Sequence, residues 1–442
     1  MKKTFYIENL GCSKNQVDAE TIIALMQKNG WKYTTAEKAE LLLINTCGFI
    51  NDAKEESIQT ILSCREYYPD KVIIATGCLS QRYGRELADE MTEADGFIGN
   101  TDIYRIPEAV EEILEKKNRL VAYRLPSADR YVERKVLLNF PRSAYIKIGE
   151  GCNNNCTYCA IPIIRGALRS VPEEIIIKEI KGFIKKGWFE LNLVTQDLAS
   201  YGTDSGSSLR ALLEKISELK GDFRIRLLYM HPDRIDLSIL DILKKDSRFV
   251  PYFDIPFQHA SEKVLKSMGR SGNSEKYLEL VKKLKAELPD CVIRSTFMLG
   301  FPGETDEDFE CLLNFLKEAE LDWCGFFTYS KEEGTKAGRM KGKVPAATAG
   351  LRKAQAEELQ TGITEKRLER FVGREVEILV EELIAEEDIA LGRGYMNAPE
   401  VDGAVILHSS GVSEGRVRPG DVVRGRIIKR NNMDLEAVAS DE

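Results

Sequence analysis

Two groups of three cysteines, out of ten in the 442-residue chain, have positions that could do chemistry. The first is the run Cys152-Asn153-Asn154-Asn155-Cys156-Thr157-Tyr158-Cys159, a C-x3-C-x2-C spacing. Three thiolates this close can hold three irons of a 4Fe–4S cluster, whereas a closed cluster takes four cysteines. The fourth iron is then open to a further ligand. Zinc is the alternative metal, but a structural zinc site needs four protein ligands, and no nearby His or Cys completes the set. The second group, Cys12, Cys47 and Cys78, is dispersed. Each of its members follows directly on an apolar run that reads as a strand: Ile7-Glu8-Asn9-Leu10-Gly11-Cys12, Leu43-Ile44-Asn45-Thr46-Cys47 and Ala75-Thr76-Gly77-Cys78. In a parallel sheet the carboxyl ends of the strands share one edge, where ligands bind. These three cysteines are therefore expected to converge on a second cluster, again with one iron open. Gly11 and Gly77 are expected to let backbone approach a bulky group. One such cysteine alone would read as packing, since free Cys is often buried. Cys64, Cys291, Cys311 and Cys324 show no comparable pattern and read as packing residues.

The elements that must position these thiols form three stretches. In the first, strand-like runs at Phe5–Leu10, Leu41–Asn45 and Val72–Thr76 alternate with helical patterns at Lys14–Lys28 (amphipathic), Asp52–Arg65 and Gln81–Met91. Short apolar runs between helices imply buried parallel strands, so an open parallel α/β domain is expected over residues 1–125. A polar stretch, Lys116–Arg142, carries Pro126 and Pro141 and reads as a linker. A longer βα succession follows, expected as a domain over 138–368. Its candidate strands are Ala144–Ile148, Leu191–Thr195, Arg224–Tyr229, Tyr252–Phe257, Val292–Met298 and Trp323–Tyr329. Six βα units imply a complete or partial parallel barrel with its site at the carboxyl ends of the strands. Ala346–Arg370 reads as a helix leaving the barrel. The last stretch, 370–439, has short β-rich runs punctuated by Gly and Pro, and is expected to form a small five-stranded antiparallel barrel.

The net charge is −8, and residues 371–442 contribute eight Lys/Arg against fifteen Asp/Glu. Nearly all the excess charge therefore lies in the C-terminal stretch, on an otherwise neutral body. An RNA-binding barrel should be basic, whereas an acidic one steers toward a basic partner. No apolar run approaches the roughly 18 residues of a membrane-spanning helix. The start, Met1-Lys2-Lys3-Thr4-Phe5, has basic residues without a following apolar core, so no signal peptide is expected. The expectation is a cytoplasmic protein with no membrane partner, whose cysteines are thiols or metal ligands rather than disulfides.

Two three-cysteine groups ahead of a small β-barrel resemble the methylthiotransferases of the radical S-adenosylmethionine (SAM) superfamily. The resemblance extends over essentially the whole chain. It is carried also by Gly149-Glu150-Gly151-Cys152, Ile164-Arg165-Gly166-Ala167-Leu168-Arg169-Ser170, Gln196-Asp197-Leu198-Ala199-Ser200-Tyr201-Gly202, Pro256-Phe257-Gln258-His259 and Gly300-Phe301-Pro302-Gly303-Glu304-Thr305. It implies an N-terminal domain with an auxiliary 4Fe–4S cluster on Cys12, Cys47 and Cys78. It implies a radical SAM barrel whose Cys152, Cys156 and Cys159 hold the cluster that binds SAM, and a C-terminal TRAM domain. The implied reaction uses SAM twice, once as a methyl donor to sulfur at the auxiliary cluster and once as the source of a hydrogen-abstracting radical. External electron and sulfur donors are implied.

Within the family, Asn45-Thr46-Cys47-Gly48-Phe49-Ile50 and Gly392-Arg393-Gly394-Tyr395-Met396-Asn397-Ala398-Pro399-Glu400-Val401-Asp402-Gly403 are similar to the group that modifies an aspartate of the small-subunit ribosomal protein S-twelve. Gly394 and Asn397 depart from that group's pattern, where Ser and Asp are common. The implied partner is that basic protein and not tRNA. A tRNA adenosine methylthiotransferase is the alternative from the same family, and an iron–sulfur electron carrier or scaffold the alternative from another class.

Other residues are weighed against a fold-supporting role. Tyr158, just before the third cysteine, fits the resemblance as an aromatic near the adenine of SAM. Arg294 on a barrel strand is read as facing inward toward the SAM carboxylate. Gln196 and Asp197 end the second barrel strand and are read as ligands of ribose or substrate. Gly300 and Gly303 are read as places where backbone approaches SAM. His231 and His259 fall at strand ends, with Ser261 as the N-cap of the next helix; His408 is incidental. Lys331–Lys343, with five Lys/Arg against two Glu, reads as a solvated loop.

Overall fold

The structure is a computed structural model and describes residues 2–116, 118–123 and 131–440. Pro126 and much of the expected linker lie outside the described residues. Three large sheets stand in chain order, besides a two-stranded ribbon of Gly149–Glu150 and Arg169–Ser170. The first has six strands, all parallel, in the order Lys32–Tyr33, β1 (Thr4–Asn9), β2 (Leu41–Thr46), β3 (Val72–Gly77), β4 (Gly96–Gly99), Leu120–Val121. All six residues of β2 are buried, as an apolar run covered on both faces should be. Four α-helices connect these strands: α1 (Ser13–Lys28), α2 (Asn51–Tyr67), α3 (Cys78–Glu90) and α4 (Ile106–Lys116).

α1 differs from the expected amphipathic surface helix. From Ser13 to Met26 only Lys14 is not buried, and the buried set includes Asn15, Gln16, Asp18 and Glu20. Its polar face is buried instead of facing water: Asp18 pairs with Lys147 and Arg165 and Glu20 with Arg134, while Gln16 bonds Glu20 on the helix itself. α3 begins three residues earlier than expected, because Gly77 at φ 95° turns the chain directly from β3 into the helix. Cys78 is therefore its first residue.

The second sheet runs β5 (Ser143–Lys147), β6 (Glu190–Val194), β7 (Arg224–Leu227), β8 (Phe249–Asp254), β9 (Val292–Leu299), β10 (Trp323–Thr328). All neighbours are parallel, and the first and last strands do not pair, so the barrel is partial. β8 sits three residues earlier than expected. Pro256 has no N–H to give a ladder, and the apolar run to Phe257 continues as buried loop. β7 stops at Leu227, two residues before Tyr229 turns to φ 65°.

The helix Ala346–Leu368 leads out to the third sheet, a closed barrel of β11 (Glu375–Ile384), β12 (Ile389–Arg393), β13 (Val405–His408), β14 (Val422–Asn431) and β15 (Asp434–Ala439). One pairing, β13 with β15, is parallel, where a wholly antiparallel barrel was expected. The segment 394–403 leaves this barrel and, with Arg393 at the end of β12, plugs the amino-terminal end of the partial barrel. Arg393 donates to Glu190 at 2.6 Å, Arg226 to the Tyr395 carbonyl at 2.7 Å, and the Trp323 indole to the Met396 carbonyl at 2.8 Å. Glu190, Arg226 and Trp323 stand at or near strand starts, so only the carboxyl-end mouth remains open. No helix among the described residues is long and apolar enough to cross a membrane.

Candidate active site

Three loops bring Cys12, Cys47 and Cys78 to the carboxyl edge of the first sheet. Cys12 is the N-cap of α1 and Cys78 opens α3. Helix N-termini favour negative charge, which suits a thiolate. Asparagines lock the strand ends together. The Asn15 amide donates to the carbonyls of Leu10, Asn45 and Thr46 at 2.6, 3.3 and 3.2 Å. Asn45 donates to Asn9 and to the Asn15 carbonyl, both at 2.8 Å. Ser57 of α2 accepts from the Cys47 amide at 3.0 Å and returns a bond to its carbonyl. The glycines act between strands: a Cβ on Gly11 would stand 3.0 Å from Cys47 Sγ, and one on Gly77 2.5 Å from the Thr46 carbonyl oxygen. They let the cysteine-bearing loops close on one another.

Cys152, Cys156 and Cys159 lie on the loop after β5. Its path is fixed by the Cys152 amide on the Gly166 carbonyl at 3.1 Å, the Thr157 amide on Met268 at 2.9 Å, and Asn154 on Asp197 at 2.7 Å. The two triads meet at the junction of the domains. Cys78 packs against Ala160 and Ile164, just beyond Cys159. Arg165, from the same loop, donates to Cys78 Sγ at 3.2 Å and to Asn15 at 3.0 Å. Its other nitrogen bonds Asp18 at 2.6 Å and Glu150 at 2.9 Å, and Lys147 pairs with the same two carboxylates. Arg165 appeared in the sequence only inside a motif. Its role depends on a contact 87 positions away, which no local pattern announces. Arg134, in the expected linker, is buried and joins Glu20 to Glu179, so this part of the stretch is pinned.

Burial pushes the Cys47 thiol up to about 11 and the Cys159 thiol up to about 12. Burial likewise raises Cys78, against the pull of Arg165, and it raises Cys152. For Cys12 burial works upward too, but Lys14 and Arg165 outweigh it and hold the thiol below its ordinary value. A raised thiol gives up its proton to a bound cation, the charge that an iron–sulfur group would supply. Among the described residues no three His, Cys, Asp or Glu side chains close to the spacing of a single metal ion. Hydrogen-bond donors are aimed at Cys78 from Arg165 at 3.2 Å and from Asn100 at 3.5 Å. These residues fit an iron–sulfur group at each triad.

The remaining expected site residues have these places. Tyr158 is held by Arg270, which bonds its hydroxyl at 3.3 Å and the Pro256 carbonyl at 2.8 Å. Gln196 donates to Glu150 at 3.0 Å. Asp197 caps a short turn and accepts from Ala199, Ser200, Asn154 and the His231 amide, so its oxygens are already engaged. Arg294 does face inward, but its guanidinium is held by Asp254 at 3.3 Å and Asp402 at 3.4 Å. The close approach at Gly300 is to Ala349, 2.5 Å from where a Cβ would sit; Gly303 donates to the Gly342 carbonyl in a turn. Burial pushes His231 and His259 down to about 4, so both are neutral at pH 7. Each accepts from a backbone N–H two residues on, Asp233 and Ser261. Ser261 is the expected N-cap, bonded by Val264. His408 lies 3.1 Å from Glu436. The loop 331–343 is not merely solvated, because buried Glu332 pairs with Lys54 at 3.1 Å and Arg82 at 2.5 Å across the domain junction.

Tyr229 was not among the expected site residues. Its φ of 65° costs a non-glycine residue about 1–3 kcal/mol. Asp254 holds its amide at 3.2 Å and the Leu198 amide bonds its carbonyl at 2.8 Å.

A partial parallel barrel with three cysteines on its first loop defines a radical SAM enzyme, here joined to a second cysteine-bearing α/β domain. The radical SAM superfamily model matches residues 146–316, that of uncharacterized protein family UPF0004 residues 4–99, and that of the TRAM domain residues 372–439. The ribosomal protein uS12 methylthiotransferase RimO of Treponema denticola is 46% identical, over 97% of this chain and 99% of its own. The proteins of the same name from Thermodesulfovibrio yellowstonii and Natranaerobius thermophilus are 39% and 41% identical, over 99% and 97% of this chain and the same shares of their own. The chain belongs to this RimO family of methylthiotransferases. A radical SAM methyltransferase, TsrM from Kitasatospora setae, shares the fold at a TM-score of 0.59 and 14% identity, over 76% of this chain and 77% of that one.

Proposed function

We propose that the chain is a radical SAM methylthiotransferase that places a methylthio group on the β carbon of an aspartate in ribosomal protein uS12. In this reading Cys152, Cys156 and Cys159 hold the 4Fe–4S cluster that binds SAM. Cys12, Cys47 and Cys78 hold the auxiliary 4Fe–4S cluster. When bound, the first supplies an electron to SAM to generate the hydrogen-abstracting radical, and the second carries the sulfur that is methylated and transferred. An external electron donor and sulfur donor complete the reaction.

The observation that carries the reading is the junction. Arg165, six residues after Cys159, bonds Cys78 of the other triad, so the two cysteine-bearing loops meet at one junction. The protein's own residues do the positioning. The asparagine web fixes the strand-end loops, Asn154 ties the Cys152 loop to Asp197, and the C-terminal plug seals the opposite end against water. In the C-terminal barrel Glu381 turns inward to Arg393, while Glu382, Glu386 and Glu387 stay exposed. That leaves acidic surface for a basic protein.

Anaerobically reconstituted enzyme should be incubated with SAM, sulfide and reductant, together with either uS12 or tRNA. Methylthiolation of uS12 alone is expected; a methylthio group on tRNA alone would overturn the reading.

A further inference from the structure

Along the face of α1 that meets the partial barrel, basic side chains are neutralised: Lys147 and Arg165 by Asp18 and Glu150, Arg134 by Glu20 and Glu179. Lys14 is different. It is the second residue of α1, two positions from Cys12. Among the described residues no carboxylate lies within ion-pair distance of its ammonium. Instead the ammonium stands 3.5 Å from the centroid of the Tyr229 ring. A cation over an aromatic face keeps its full charge and gains attraction without being neutralised.

The Tyr229 ring is held in that place at the cost of an uncommon backbone conformation. Its hydroxyl lies 3.4 Å from Ser13 on α1. Two residues on, the His231 amide bonds Asp197, which holds Asn154 of the Cys152 loop. Lys14 is therefore on the helix capped by one cysteine of the first triad, and it touches Tyr229 just beyond the end of β7, whose neighbour His231 is tied through Asp197 to the loop that carries the other triad. Two cations of the partial barrel are committed elsewhere, Arg294 to two carboxylates and Arg270 to Tyr158 and a carbonyl.

An aspartate modified at its β carbon brings a carboxylate attached to the reacting atom. That carboxylate needs a cation between the two triads. We propose that the Lys14 ammonium, backed by the Tyr229 ring, receives the side-chain carboxylate of the acceptor aspartate and thereby selects a carboxylate-bearing substrate. This rests on the uS12 aspartate reading above. A carboxylate could also be offered by SAM, and the experiment separates the two.

Full-chain enzyme loaded with both clusters is titrated with intact uS12 and with uS12 whose acceptor Asp is replaced by Asn. Wild type, Lys14→Met and Lys14→Arg are compared, and SAM affinity and iron content are measured in parallel. Wild type should favour the Asp form by about ten- to a hundredfold, the range of a charge-assisted hydrogen bond. Lys14→Met should bind both forms equally and Lys14→Arg should restore most of the preference, with SAM affinity and iron unchanged. An unchanged Asp/Asn ratio in Lys14→Met, or a loss confined to SAM binding, overturns the assignment. If Lys14→Met does not fold, the contrast between Lys14→Gln and Lys14→Arg decides on the same ratio. Failure of wild type to bind or modify uS12 at all would instead defeat the functional reading, and this inference with it.

Discussion

Replacing Arg165 by Met tests whether the domain junction is held by charge. The guanidinium makes four bonds, to Asp18, Glu150, Asn15 and Cys78 Sγ, at 2.6, 2.9, 3.0 and 3.2 Å. Removing one partner of a buried pair costs about 3–5 kcal/mol, because the other charge stays buried. Lys147 still faces both carboxylates, which places the expected loss at the lower end, about 3 kcal/mol. The pH dependence has a definite sign. Burial works to raise the Glu150 carboxyl, but Arg165 and Lys147 override it and hold it well below the usual carboxylate range. A lowered folded-state value contributes stability above the unfolded value near pH 4.3, and that stability is lost as pH falls. In Arg165→Met the loss should begin at the same unfolded value but be smaller and be complete at a higher pH. Native-state hydrogen exchange of α1, read from pH 4 to 8 on the full chain, isolates this junction from the rest of a multidomain protein. Exchange in α1 faster by about a hundredfold at pH 7 is expected for a loss of this size. Unchanged exchange, or protection that falls equally in all three sheets, would refute the argument.

Replacing Cys152, Cys156 and Cys159 together should leave about four of eight irons per chain, and so should replacing Cys12, Cys47 and Cys78; iron quantification after anaerobic reconstitution checks both. Glu190→Gln leaves Arg224, Arg226 and Arg393 buried around a neutral group, so the plug should loosen by about 3–5 kcal/mol, seen as faster proteolysis within 394–403. Burial pushes the Asp402 carboxyl up to about 6 against the pull of Arg294. Its contribution to stability is full below the unfolded value near pH 3.9 and is lost as pH rises through 6, so Asp402→Asn should flatten the fall in melting temperature between about pH 4 and 6.

Much of this architecture is legible along the chain, because helix and strand periodicities and Gly-Cys steps are local properties. The two parallel α/β sheets and the closed C-terminal barrel follow from residue type and spacing. What the sequence hides is which polar groups face each other across domains. α1 reads as amphipathic, yet its polar stripe is buried, because its partners Arg134, Lys147 and Arg165 come from more than a hundred positions away. Arg294 reads as a cation waiting for a ligand, yet Asp402, brought from the C-terminal barrel, already holds it. Gly300 reads as room for a cofactor, and Ala349 fills it. Chemistry carried by adjacent residues is determined by the sequence itself. The pairing of buried charges, and hence which cation is left unneutralised at the mouth, is decided only when the tertiary fold brings distant elements within a few ångströms.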